Sequence, residues 1–285
     1  MTADQTIASL RAGDEVRGVF ACVRKDRLST RSGSPYLALE LRDRTGSAPA
    51  RAFRDADRLA GGFERGDLVS VVGRVERFRD ELVVEVAEIL RADGADPADF
   101  LPSVRRDLEE LDGFLEHLAR EVYDPAYRRL LDELLADRAL RDDLRRAPCT
   151  RGGHHAYLGG LLEHTVAVTT LARELCDLHR RLNSDLLVTA SIVHDLGRLR
   201  EFRLGADIEL TDEGRLLGHI TLGIQMLGER MSRAGLDEPR RLALTHCVLV
   251  HHGAATAPGG RFGSPEAVAL YRLNAADAAV ADAWM

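Results

Sequence analysis

The chain is short of several things, and each shortage removes a class of protein. Its 285 residues hold only four cysteines, Cys22, Cys149, Cys176 and Cys247, with no Cys-x-x-Cys pair. Neither a disulfide framework nor a thiolate zinc site is indicated, and the thiols are expected to be buried. No apolar run approaches the roughly 18 residues that a membrane span requires. Met1–Gln5 lacks the basic and apolar stretches of a signal peptide, so the expected location is the cytoplasm, with no membrane partner. Lysine is almost missing too: Lys25 is the only one, and the other basic residues are arginines, a bias of the kind a GC-rich coding sequence produces. A net charge of -7 excludes a uniformly basic nucleic-acid binder. The acidity is unevenly spread, since residues 14–92 carry fifteen Arg/Lys against fourteen Asp/Glu.

What is present falls into two regimes. From Glu15 to Leu90 apolar residues alternate, as at Tyr36, Leu37, Leu39 and Leu41 or Val69, Val71, Val72 and Val75, and short runs are divided by turns such as Arg31–Pro35 and Asp43–Gly46. This predicts a small antiparallel barrel. The order Gly33, Tyr36, Asp43, Thr45-Gly46, Phe53, Gly66-Asp67 and Val72-Gly73-Arg74-Val75 resembles a nucleic-acid-binding OB-fold. Such barrels stack bases on exposed aromatics and track phosphates with cations, which makes Arg24, Lys25, Arg27, Tyr36, Arg51, Phe53 and Arg54 the candidates for binding. Phe20, Tyr36 and Phe53 have the alternative role of filling the barrel, and the arginines that of solvated surface.

After a linker-like stretch at Ala92–Pro97 the period becomes helical, with Leu108, Leu111, Leu115 and Leu118 and then Leu130, Leu131, Leu134 and Leu135. The expected division is an extension at 1–13, a barrel at 14–92, a linker with leading helices at 93–149 and a functional helical domain at 150–285. His117 is expected to be a surface residue.

Nine of the ten histidines lie between His154 and His252. Imidazole is the commonest transition-metal ligand and carboxylate its usual companion. His164 lies on an expected helix close to an apolar stripe of Leu161, Val168, Leu171 and Leu175. His194-Asp195 ends the apolar run Leu186–Val193, with Gly197 as the expected terminator. An imidazole and a carboxylate buried at such a place are costly unless a cation or another group pairs with them.

The runs His154–Tyr157 with Gly159–Thr165, His194–Gly197, Thr211 with Glu213-Gly214, Leu216–Ile220, His246, His251–Gly253 and Phe262–Ala267 resemble the HD superfamily of metal-dependent phosphohydrolases. Within it they are similar to one bacterial family, the YhaM-like 3′-to-5′ exoribonucleases, which join an N-terminal OB-fold to a C-terminal HD domain. The likeness runs from about Asp14 to Asp277. It implies a multidomain α and β chain, a five-stranded OB-fold β-barrel followed by an all-α HD domain. It implies metal ligands at His164, His194 and Asp195, with His219, His251 and His252 for a second ion and Asp195 bridging. Donors of this kind favour two divalent ions, Mn, Fe or Co before Zn or Mg. It implies a catalytic role for Asp195 and for Arg198, which stands where the family has lysine. His154 and His155 either contact the substrate's terminal phosphates or cap a helix. His246 is either a ligand or a core residue, and Glu163 and Glu213 either orient ligands or are solvated.

One departure stands out. Where the family carries its last metal-binding Asp this chain has Asn274, an oxygen donor without negative charge, and Asp277 follows nearly one turn later. Relatives are also expected to continue beyond Met285. Three readings therefore stand: an exonuclease on single-stranded RNA or DNA with the barrel feeding the strand, a phosphohydrolase of small nucleotides, and a nucleic-acid-binding protein with a decayed site. A homo-oligomer is compatible with all three.

Overall fold

The computed structural model describes residues 6–257 and 259–283, which form two compact units. The first contains the chain up to Pro102 together with Leu204–Glu209, and the second contains Ser103–Arg203 and the chain from Leu210 onward. The helical part is thus interrupted in sequence, and the leading helices share one core with those that follow, where the sequence suggested a separate segment at 93–149. Residues 1–5 of the expected extension lie outside the described residues; Ile7–Ser9 form one tight turn whose Ile7 N–H donates to the buried Asp43 carboxylate at 2.7 Å.

In the first unit five strands, β1 (Glu15–Ser29), β2 (Pro35–Asp43), β3 (Gly46–Ala52), β4 (Leu68–Phe78) and β5 (Glu81–Arg91), close into a barrel in the order β1-β2-β3-β5-β4. A short parallel pairing of Ala50 with Val84 and Arg51 with Glu85 completes the closure. The interior is filled by large–small pairs across β2 and β3: Leu37 faces Ala52, Leu39 faces Ala50 and Leu41 faces Ala48. The two-residue period then turns Tyr36, Arg51 and Phe53 outward. Phe20 and Phe63 are inside, whereas Phe53 is 45% exposed, which separates the barrel-filling aromatics from the surface ones.

Helix α1 (Ala56–Ala60) joins β3 to β4. Here Lys25 has an unexpected position. Its ammonium donates to the carbonyls of Ala60 at 2.8 Å and Phe63 at 2.5 Å, and it lies 4.9 Å from the centre of the Phe63 ring. The side chain is 13% exposed and committed to carbonyls that would otherwise lack a donor.

The second unit is helical: α2 (Leu108–Arg120), α3 (Pro125–Ala136), α4 (Arg138–Arg146), α5 (Gly160–Leu178), α6 (Ser184–Val193), α7 (Arg198–Glu201), α8 (Asp212–Arg233), α9 (Glu238–Val250) and α10 (Pro265–Asp282). Short polar residues start most of them, with Asp107, Asp124, Asn183, Thr211, Asp237 and Ser264 accepting first-turn N–H groups. Helix α5 packs against α2, α4, α6 and α10. Helix α6 is buried all round from Leu186 to Val193, as its unbroken apolar run predicts. Among the described residues no helix is long and apolar enough to cross a membrane.

Replacing Lys25 with Met should lower the thermal stability of the barrel, by about 1–3 kcal/mol for the carbonyls left without a donor. A melting curve unchanged by Lys25→Met would show that the ammonium is not needed there.

Candidate functional site

The centre is assembled from helix ends. His194 and Asp195 follow directly on α6 and are fully buried, and His164 lies on α5. Gly197 does not end α6 by a left-handed turn, because its φ is -63°. It is required for another reason: a Cβ there would lie 1.9 Å from the His219 carbonyl oxygen and 2.5 Å from the Gly223 nitrogen. The chain after Asp195 therefore touches α8 backbone to backbone. Helix α8 is itself broken at Gly218 (φ 69°, ψ 161°). The break frees the next N–H from the helical ladder, and His219 N–H donates instead to Glu201 Oε1 at 3.1 Å.

Four imidazoles are oriented through their Nδ1 atoms. His194 Nδ1 donates to the Ser191 carbonyl at 2.8 Å and His251 Nδ1 to that of Val248 at 2.6 Å. His219 Nδ1 meets Glu201 at 3.2 Å and His164 Nδ1 meets Asp277 at 2.6 Å. A ring held this way carries its lone pair on Nε2 whenever it is neutral, and these atoms face one another: 3.2 Å for His164–His194, 3.4 Å for His219–His251 and 3.1 Å for His219–His252. Lone pairs so placed repel. Two nitrogens bound to one cation at about 2.1 Å, with angles near tetrahedral or below, stand about 3.1 to 3.4 Å apart.

Asp195 lies between two such groups. Its Oδ1 is 3.4 Å from His219 Nε2 and 3.3 Å from His251 Nε2, and its Oδ2 is 3.9 Å from His164 Nε2 and 3.7 Å from His194 Nε2. Oδ1 is buried without a hydrogen-bond partner. A carboxylate oxygen left in that condition is expensive, and a cation supplies what it lacks. Against the desolvation of full burial, Arg198 and then His194 hold the Asp195 carboxyl well below the usual range. Burial, partly opposed by Asp195, pushes His194 down to about 3, so its Nε2 stays free to coordinate. The donor sets that fit a metal ion are Asp195 with His219, His251 and His252, and His164 with Asp195 and Cys149.

The remaining expected residues are distributed around these sets. Asn274 is buried on α10, and its amide nitrogen donates to the His251 carbonyl at 3.3 Å, which leaves only its oxygen to meet a cation. Asp277 also brings His155 and His164 within ligand distance of each other, but its Oδ2 is taken up by both rings and it serves to orient His164. Arg198 is buried, with Nε 3.4 Å from Asp195 and Nη1 donating to Glu201 at 2.7 Å, so its guanidinium braces two acids of the centre. His246 accepts from the Gly263 N–H at 2.7 Å and stands outside the converging group. His154 is partly exposed, 3.6 Å from Asp282. Glu213 pairs with Arg200 on the surface, and exposed His117 pairs with Glu121.

His155 neither caps a helix through its ring nor reaches a free surface; it is buried in a strained left-handed conformation (φ 52°). Its Nδ1 donates to Tyr157 Oη at 2.8 Å and its Nε2 to Asp277 at 3.0 Å, while the Tyr157 hydroxyl donates to Glu163 at 2.6 Å. Burial opposes its charge, but the hydrogen bonds to Asp277 and Glu163 prevail and raise it to about 9. Sequence reasoning passed over Glu201, Tyr157 and Cys149. Tyr157 ends the run His154–Tyr157 and Cys149 is an expected buried thiol, neither with a role at the centre, and the trace of Glu201 is its place three residues after Arg198 on the same short helix.

On the barrel, Tyr36 and Phe53 stack with ring centroids 5.3 Å apart and an interplanar angle of 27°. Arg51 lies 4.2 Å over the ring of Phe78, an exposed aromatic not singled out from the sequence. Arg54 and Phe53 line a surface cleft of about 680 Å³ with Arg17 and Arg74. Arg24 and Arg27 are exposed but paired with Asp26 and Asp57 at 2.5 and 2.6 Å. Lys25 is turned inward.

Two outcomes are expected. Glu201→Gln should weaken metal binding about 10- to 100-fold, measured by equilibrium dialysis, because His219 loses its anionic partner; unchanged affinity would remove Glu201 from the centre. His155, raised above its ordinary value of 6.5 to about 9, stabilises the fold fully below pH 6.5, and that contribution is lost as pH rises through 9. The melting temperature of chelator-treated protein should fall across this window, and His155→Gln should flatten the fall.

The family model described as an HD domain matches residues 161–284, and the OB-fold nucleic acid binding domain model matches residues 15–91. The "3'-5' exoribonuclease YhaM" of Listeria welshimeri is 26% identical over 97% of this chain and 89% of its own. Its counterpart in Oceanobacillus iheyensis is 28% identical over 95% of this chain and 86% of its own, and that of Halalkalibacterium halodurans 27% over 94% and 84%. With a closed five-stranded barrel, a helical unit that gathers the HD histidines and a likeness spanning nearly the whole length, the chain is similar to the YhaM-like bacterial 3′-5′ exoribonucleases.

Proposed function

We propose that this protein is a metal-dependent 3′-to-5′ exoribonuclease that hydrolyses phosphodiester bonds of single-stranded RNA and accepts DNA as an alternative strand. The observation that carries the metal-dependent part is Asp195, a buried carboxylate whose two oxygens face two separate groups of imidazole nitrogens. That arrangement supports a pair of ions. One would be held by His164, His194, Asp195 and the Asn274 oxygen, the other by Asp195, His219, His251 and His252. Divalent cations bound there supply the charge that activates a water and stabilises the phosphate as the 3′-oxygen leaves. The nitrogen-rich donor set favours Mn, Fe or Co.

The protein's own groups do the positioning. The Ser191 and Val248 carbonyls, with Glu201 and Asp277, hold the Nδ1 atoms of four rings so that Nε2 is aimed inward. Arg198 holds Asp195 and Glu201 in place from behind, a role that differs from direct contact with a phosphate. His155 keeps Asp277 ionised, which supports His164 from the outside. On the barrel, Tyr36 with Phe53 and Arg51 with Phe78 provide flat apolar faces beside cations, the combination that binds single strands by stacking and phosphate contact.

The test uses end-labelled single-stranded RNA with Mn, Co, Fe or Mg. Stepwise shortening from the 3′ end is expected, and His194→Ala should reduce it to background while RNA binding persists. Phe53→Ala should weaken RNA binding by about 1–3 kcal/mol for the lost stack, with nucleotide hydrolysis chemistry retained. Absence of shortening with all four metals would overturn the proposal, and phosphate release from mononucleotides in its place would turn the reading toward a small-nucleotide phosphohydrolase.

A further inference from the structure

We propose that the Cys149 thiol is a metal ligand of the His164 side of the centre, supplying there the negative charge that Asn274 does not. This rests on the metal-dependent reading above and extends it to a residue outside the HD ligand pattern.

Cys149 lies in the segment between α4 and α5 and is fully buried. Its N–H donates to the His155 carbonyl at 3.0 Å, which anchors the backbone beside the His155–Asp277–His164 chain of hydrogen bonds. Its thiol donates to Asp195 Oδ2 across 3.7 Å, and its Sγ, a His164 ring nitrogen and an Asp195 oxygen lie within 4.8 Å of one another. An ion with a bond of about 2.3 Å to sulfur and about 2.1 Å to oxygen, at a tetrahedral angle, holds those two atoms about 3.6 Å apart. The observed separation is close to that without any rearrangement. None of the other three cysteines joins a group of possible ligands among the described residues; Cys22, for one, donates to the Arg24 carbonyl inside the barrel.

Independent features point to a cation at the same place. His164 and His194 present Nε2 lone pairs to each other at 3.2 Å, and Asp195 Oδ2, the oxygen beside Cys149, lies 3.9 Å and 3.7 Å from those two nitrogens. The distribution of charge shows why a thiolate belongs here. On one side Asp195 is joined by His219, His251 and His252, and on the other by His164 and His194, while Asn274 brings no charge to either. Asp195 is the single anion facing both. Two dications sharing one carboxylate are poorly neutralised, and Cys149 stands on the His164 side. On coordination the S–H bond breaks, the proton leaves to solvent and the sulfur–metal bond forms, with no change in oxidation state. A sulfur donor also shifts the preference toward Fe, Co and Zn and away from Mg.

The experiment titrates the full chain with Co(II), following near-ultraviolet absorption and bound cobalt by elemental analysis. Wild type should develop a sulfur-to-cobalt charge-transfer band as it fills. Cys149→Ser should lose the band and bind its weaker cobalt at least about tenfold less tightly. Cys149→Ser combined with Asn274→Asp should regain the affinity without the band, which also shows that the serine variant is folded. Cobalt bound by wild type with no such band, or a band that survives Cys149→Ser, would overturn the thiolate ligand while leaving the metal centre intact. A wild-type chain that binds no cobalt would overturn the metal centre and this proposal together.

Discussion

A carboxylate oxygen without a hydrogen bond is what the helical unit is organised around. Asp195 is 3% exposed, kept ionised by Arg198, and surrounded by imidazoles whose protonated nitrogens are turned away from it. The Nδ1 bonds of His164, His194, His219 and His251 end on a backbone carbonyl or a second acid, which keeps those four rings from rotating to relieve the crowding of lone pairs. A protein interior accepts such an arrangement only if something positive completes it. The strain of His155 at φ 52° belongs to the same account, since that conformation places a cation where Asp277 needs one.

The barrel solves a simpler problem. Its leucines on β2 meet alanines on β3, so the interior fills without bulky residues on both strands, and the opposite faces are left to carry Tyr36, Arg51 and Phe53. Arginine does well on that surface because its planar guanidinium stacks on a ring, as Arg51 does on Phe78. The chain's only lysine is spent on a compact internal task, three donors reaching two carbonyls and Glu64.

How much of this could be read beforehand depends on whether the signal was local. Period-two alternation and three-to-four spacing announced the barrel and the helices, and His164 with His194-Asp195 announced the centre, because each is written in neighbouring residues. The outward face of Tyr36 and Phe53 required the register that pairs Leu37 with Ala52, which no single strand reveals. Glu201 and Cys149 were missed because their roles come from contacts with residues far along the chain, His219 for the first and Asp195 for the second. Lys25 was misjudged for the same cause: an exposed-looking Arg-Lys pair on a strand gives no hint of the Ala60 and Phe63 carbonyls waiting inside. Gly197 was noticed, but its negative φ and its contact with α8 replace helix termination by close approach as the reason for it.

That contact at Gly197 alters what drift in this chain would mean. The spacing between the segment bearing Asp195 and the helix bearing His219 is set by one hydrogen atom in place of a methyl group. A lineage could keep every histidine and acid of the centre and still lose it through a single Gly-to-Ala change, with no ligand altered and the overall helical content intact. Inactive members of such a family would then be told apart by their glycines sooner than by their histidines.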